Sequence, residues 1–302
     1  MNLLRLFADN LLPVLLASAA GWALRARARV DPAPVARMAF YLLSPCLIFD
    51  ILLRNRMAAG DFLHMAGFTF ATLLILGGVA ALLARWQKWE RPVAAAVVLG
   101  ALLPNAGNFG LAANLFAFGE AGLAHASVFF VASAVLSYTV GVFVAGMGRA
   151  GVRESLAGLY KVPAVWAVVL GAVMVNRGWE LPLPVARTVS LFADACIPVF
   201  LLVLGMQLHG AKWKGRGGPL LAATGLRLLG GAFVALVLTR ILHFEGAALQ
   251  AAVLQASMPT AVIAIILATE YDTEPEFVTS VVFLTTVLSP LTLTPLLAWL
   301  LA

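Results

Sequence analysis

The chain has 302 residues, of which 62% are hydrophobic and 11% charged, and its mean hydropathy is +0.98; soluble domains are roughly 45–50% apolar. That composition excludes a water-soluble fold and describes an all-α polytopic membrane protein. The net charge of +6 does not point to nucleic acid, because the lysines and arginines fall in short clusters between apolar stretches and act as topology signals.

Spans of about 20 apolar residues are predicted in chain order at 5–24, 34–53, 62–84, 92–118, 123–147, 158–176, 184–208, 218–242, 246–269 and 276–300. The first carries Asp9 and Asn10 early in the run and Arg25, Arg27 and Arg29 after it, so it reads as a transmembrane helix and not as a cleaved leader. Cys46 and Cys196 fall within apolar stretches and read as small core residues. No stretch resembles an extramembrane domain.

Two of these spans are interrupted. In GALLPNAGNFGLAANLFAF, span four holds Pro104, Asn105, Gly107, Asn108 and Gly110. A proline removes a backbone donor and clashes with the preceding turn, and glycine resists helix formation, so the helix is expected to open there. Span nine is interrupted by Ser257, Pro259 and Thr260 in QASMPTAVIAI. Open backbone at membrane depth is tolerated only where it is buried in protein or lines a polar cavity. Both breaks are therefore binding-site candidates.

A repeat relates the two regions. Residues 13–37 align with 163–187 at one constant offset that pairs Pro13 with Pro163, Gly21 with Gly171, Pro32 with Pro182, Arg37 with Arg187 and Cys46 with Cys196. The chain is thus read as two five-helix repeats, 1–147 and 158–302, joined by a cytoplasmic connecting loop at 148–157. Five is odd, so like-folded halves must cross the membrane in opposite directions. The loops after spans one, three, five and seven hold Arg25, Arg27, Arg29; Arg85, Lys88, Arg91; Arg149, Arg153, Lys161; and Lys212, Lys214, Arg216. Arg5, Arg54, Arg56, Arg177 and Arg240 fall on the other side. By the positive-inside rule the first set is cytoplasmic, which puts both termini outside. The last inner loop, ATEYDTEPEF, is acidic, and acidic residues weigh little in that rule.

Broken helices at matching places in inverted halves are expected to cross, with broken helices 4 and 9 meeting near the midplane. The second half of each presents a helix N-terminus to the crossing, which favours an anionic group such as a carboxylate. Asn105 and Asn108 would supply amides, Ser257 and Thr260 hydroxyls, with Pro104, Gly107 and Pro259 shaping the breaks. The bland alternative is that the prolines are kinks and the asparagines cap helices internally. Asp194, in mid-span seven, reads equally as a proton-coupling group, a partner for a basic residue, or a neutral packing residue. Arg227 is a candidate partner or anion contact, but its place in span eight favours snorkelling to the cytoplasmic surface. Arg37 and Arg187 read as helix-end anchors, and Asp50 as interfacial. Ser137 and Tyr138 read as packing residues, with a cavity-lining role as the alternative.

These residues resemble the auxin efflux carrier family, the plant PIN proteins and their bacterial relatives. LLPNAGNFGLA (Leu102 to Ala112) is similar to the family's first crossover, except that Ala112 stands where a second proline is usual. ASMPTAVIAIILATEYDTEPEFVTSVVFLTTVLSPLTL (Ala256 to Leu293) is similar to its last two helices. The resemblance implies a secondary transporter of small organic anions such as malate, malonate or indole-3-acetate, working by an elevator-like alternation with a two-helix-per-half scaffold. It implies crossover-site roles for Pro104, Asn105 and Pro259. The expected setting is the cell's inner (plasma) membrane, with H+ or Na+ as candidate coupling ions and a homodimer as a candidate assembly. No cofactor is expected.

Three other readings stay open at this point. A sodium-coupled symporter of the bile-acid type shares the inverted architecture, but spans four and nine hold no Asp or Glu before Glu120 and Glu270, which counts against a sodium site. An intramembrane enzyme lacks support: no His-Glu-x-x-His, no aspartyl pair and no Asp-rich metal motif is present, and His64, His125, His209 and His243 lie near predicted helix ends. A membrane receptor fits the spans but leaves the paired breaks unexplained.

Overall fold

A computed structural model describes residues 2–55, 59–146, 163–209 and 217–302. The linker expected at 148–157, and Arg56, Arg149, Arg153, Lys161, Lys212, Lys214 and Arg216, lie outside the described residues. The described chain is all helical, with twelve rods in sequence. They are α1 (Leu3–Ala28), α2 (Pro32–Arg54), α3 (Ala59–Trp86), α4 (Arg91–Leu102), α5 (106–118), α6 (120–145), α7 (Pro163–Arg177), α8 (Leu183–Leu208), α9 (Gly217–Ile241), α10 (Gly246–Ala256), α11 (Ile263–Glu270) and α12 (Pro275–Leu300).

The rods start and stop where the local chemistry requires. Asn2 accepts from Leu4 N–H at 3.0 Å and Asp31 accepts from Ala33 N–H at 3.0 Å, capping α1 and α2. Prolines occupy the first turns of α2, α4, α8 and α12, where the missing N–H costs no helical bond. Gly119, with φ +65° and ψ −158°, separates α5 from α6, a conformation that only glycine adopts freely. Many buried hydroxyls within the rods donate to carbonyls one turn back, as in Thr69 to Met65, Ser127 to Leu123 and Thr286 to Val282, which satisfies their protons inside the helix.

Packing sorts the rods into two groups. In the first, α1 lies along α8 and α2 along α7 and α8. The α1–α8 crossing is very close: a Cβ at Gly21 would overlap the Leu202 carbonyl, and one at Gly205 the Ser18 carbonyl. Small residues that let backbones touch are the usual way helices associate in lipid, where burial supplies little driving force. Arg25 Nη1 adds a 2.6 Å bond to the Met206 carbonyl. The second group holds α3 to α6 and α9 to α12, with α10 against α5 and α6, and α4 against α3, α9 and α12. Leu63, Leu82, Leu191, Leu221, Phe233 and Leu291 are exposed on the outside, an apolar surface that suits lipid contact. Among the described residues, seven stretches have the length and hydropathy of a membrane span, and Arg91–Leu102, Pro163–Arg177 and Gly246–Ala256 are shorter apolar helices.

Candidate functional site

The break between α4 and α5 meets the break between α10 and α11. Asn105 N–H donates to the Pro259 carbonyl at 2.7 Å and Ala261 N–H to the Leu103 carbonyl at 2.8 Å, an isolated antiparallel bridge between Pro104 and Thr260. The prolines explain why helix gives way here, and the bridge explains where the freed backbone groups go. Further bonds lock the crossing. Thr260 Oγ1 donates to the Gly100 carbonyl at 2.8 Å, and Thr260 N–H donates to Thr285 Oγ1 at 3.1 Å. Gln255 Nε2 donates to the carbonyls of Ala106 and Ala126 at 3.1 and 3.0 Å, tying α10 to α5 and α6. A Cβ at Gly110 would overlap Gln255 Oε1.

A cavity of about 620 Å³ opens between the two helix groups. One wall comes from the first group: Arg25 of α1, Arg37, Phe40 and Tyr41 of α2, and Phe200, Val203 and Gln207 of α8. The other wall is the crossing itself, with Pro104, Asn105, Gly107, Asn108, Ala261, Val262 and Ile263, flanked by Ser133, Ser137 and Tyr138 of α6. The N-termini of both α5 and α11 therefore face this space. Asn105 is 3% exposed and its Nδ2 has no partner among the described residues. An orphaned buried amide costs about 1–3 kcal/mol, and here it borders a cavity. Ser133 and Ser137 donate to the carbonyls of Phe130 and Ser133, leaving their oxygens free to accept. Arg25, Arg37 and Glu270 are the charged groups on the lining. A second space of about 670 Å³, between α9 and α12, is lined mostly by Leu, Phe and Val with Arg240 and Trp299, and lacks both asparagines.

Residues 147–297 match the family described as membrane transport protein. The chain belongs to the auxin efflux carrier family. It is 27% identical over 262 residues to an uncharacterized transporter of Methanothermobacter thermautotrophicus, covering 86% of each chain. It is 24% identical over 256 residues to an uncharacterized transporter of Methanocaldococcus jannaschii, covering 82% of this chain and 83% of that one. The protein is thus a multi-pass membrane transporter, and its family membership speaks for transport and not for catalysis. The family match takes in the second crossover, while the two archaeal relatives match over most of the chain.

Within this carrier family member, the structure places the sequence-predicted residues unevenly. Pro104, Asn105, Gly107 and Asn108 line the cavity. Pro259 and Thr260 are in the crossing but off the cavity wall, and the Thr260 hydroxyl is spent on α4. Ser257 donates to the Val253 carbonyl at 2.7 Å and borders the other space. Tyr138 lines the cavity and also packs its ring 5.7 Å from that of Phe40. Ser137 is on the same wall.

Asp194 lies on the exposed face of α8, away from Arg227, so it is not that arginine's partner. Asp50 pairs with Arg54 at 2.8 Å, and Arg54 also donates to Ser190 at 2.8 Å. Arg37 and Arg187 are exposed near the starts of α2 and α8, and Arg37 also reaches the cavity rim. Arg227 does not snorkel. It is 0% exposed, and its guanidinium bonds carbonyls at the ends of α4 and α10. Gln255, Gln207 and Arg25 were not singled out by sequence; an amide shortly before a broken-helix proline, as in LQASMP, is the signal for the first.

Proposed function

We propose that the chain carries a small organic anion, a mono- or dicarboxylate, held at the crossing on its cavity face. The observation that carries this reading is the meeting of two helix N-termini with the unpartnered Asn105 amide on one wall of a 620 Å³ cavity. Free N–H groups and the positive ends of two helices attract a carboxylate and repel an amine. A side-chain amide adds a directional donor.

The same reading takes the chain as ten spans in two inverted halves, with α4 and α5 forming one broken span and α10 and α11 the other. The packing supports it: under the sequence repeat α1 corresponds to α7 and α2 to α8, so the contacts α1–α8 and α2–α7 are exchanged images of one another. Elevator-type alternation then means that α3 to α6 and α9 to α12 slide against α1, α2, α7 and α8. The cavity lies on that boundary, as substrate carried by the moving group requires. Since Arg25, Arg37 and Glu270 border the opening, and the positive-inside rule makes that end cytoplasmic, this conformation faces inward in the plasma membrane, with both termini outside.

A thermal-shift screen of detergent-purified protein against mono- and dicarboxylates, indole-3-acetate and matched amines tests the proposal. A ligand that binds only the native state raises the melting temperature by mass action. Carboxylates are expected to raise it and amines to leave it unchanged; stabilisation by amines alone would reverse the charge assignment.

A further inference from the structure

Arg227 is the largest fully buried side chain among the described residues, and no carboxylate there forms an ion pair with it. Its partners are backbone. Nη1 donates to the Ala101 carbonyl at 2.6 Å, and Nη2 donates to the Ala256 carbonyl. Ala101 is in the last turn of α4 and Ala256 is the last residue of α10. Both carbonyls therefore sit at helix C-termini, each the negative end of a dipole worth about half an elementary charge. Two such ends sum to about one negative charge, and one guanidinium balances them.

The surroundings are shaped for that group. Gly231 lies one turn beyond Arg227 on α9, and a Cβ there would sit 2.6 Å from Nη2 and overlap the Ala256 carbonyl. The neighbouring carbonyls at the same helix ends are also taken: Gly100 by Thr260 Oγ1, Leu103 by Ala261 N–H, and Val253 by Ser257. Negative helix ends are thus closed off by protein donors, while the positive ends of α5 and α11 face the cavity.

In secondary transporters built from broken helices, half-helix C-termini and unwound carbonyls are where a coupling cation is held. Here a side chain that is always charged and carries a rigid fork of donors takes that place. We propose that Arg227 is a tethered counter-cation at the crossing, occupying the position of a coupling sodium ion, so that the protein neither binds nor needs sodium there. The sodium half of this inference rests on the transporter reading of the crossing. The charge balance around Arg227 rests on geometry alone.

The experiment uses the full chain, purified in detergent, and sodium itself as the probe. Melting temperature is followed while sodium replaces N-methylglucamine or potassium at constant ionic strength, for the wild type and for Arg227→Ala. The wild type is expected to show no sodium-specific shift. Arg227→Ala is expected to melt lower and to be partly restored by millimolar methylguanidinium, but not by methylamine, which lacks the planar fork. A sodium-specific rise in the wild type overturns the proposal, as does an Arg227→Ala protein with wild-type melting temperature. Where Arg227→Ala gives no folded protein, the wild-type sodium titration decides, and a flat response supports the assignment. Failure of the anion screen would sink the proposed cargo and leave this titration unaffected.

Discussion

Asn105 and Thr260 sit on opposite strands of one backbone bridge and put their side chains to different uses. The Thr260 hydroxyl donates to the Gly100 carbonyl, so Thr260→Val strands a buried acceptor and is expected to cost about 1–3 kcal/mol of stability, read as a lower melting temperature without a comparable loss of ligand affinity. Asn105 Nδ2 has no partner to lose among the described residues. Asn105→Ala is therefore expected to keep the melting temperature of the unliganded protein while weakening carboxylate binding by about 1.5–3 kcal/mol, or roughly tenfold to a hundredfold. An Asn105→Ala protein that is stable and binds at wild-type affinity would remove this residue from the site.

At the level of elements, the crossing depends on close approach. Gly205 and Gly21 let α1 and α8 touch through their backbones, so Gly205→Val must separate the two rods. Overpacking of this kind typically costs about 1–3 kcal/mol, measurable as a drop in melting temperature, and it should also loosen the Arg25–Met206 bond. Gly110→Ala acts at the other group by displacing Gln255 from its bonds to Ala106 and Ala126. It is expected to lower both stability and ligand affinity, because the Ala106 end of α5 forms part of the cavity wall. Unchanged affinity in that variant would mean that the tie between α10 and α5 does not set the site's shape.

The breaks themselves were legible because Pro104, Asn105 and Pro259 violate an apolar helical pattern in ways that only a local opening relieves. The limits of α5 were less so: Ala112 opens regular α-helix after a wider turn at Ala106–Leu111, with no proline to mark it. What each polar side chain does was mostly illegible. Arg227 in an apolar span reads as a snorkelling residue because hydropathy sees one helix at a time; its partners, Ala101 and Ala256, come from two other helices. Asp194 shows the same limit, since its helical face is set by packing partners distant in sequence. Ser257 and Thr260 carry the right chemistry for a ligand but spend it on backbone.

For the whole molecule, the proposed alternation turns on one boundary between two helix groups and on which side it opens. With Cys46 and Cys196 replaced, a cysteine at Asn108 should react with a membrane-impermeant thiol reagent from the cytoplasmic face and become protected when a carboxylate binds. Labelling only from the outer face would reverse the assigned orientation. The most direct measurement is solute counterflow in proteoliposomes, comparing wild type with folded Asn105→Ala. Wild-type protein is expected to exchange a labelled carboxylate against the same unlabelled acid, and Asn105→Ala to lose most of that exchange while retaining its melting temperature. Exchange by Asn105→Ala at the wild-type rate and affinity would contradict the claim that the crossing holds the transported anion.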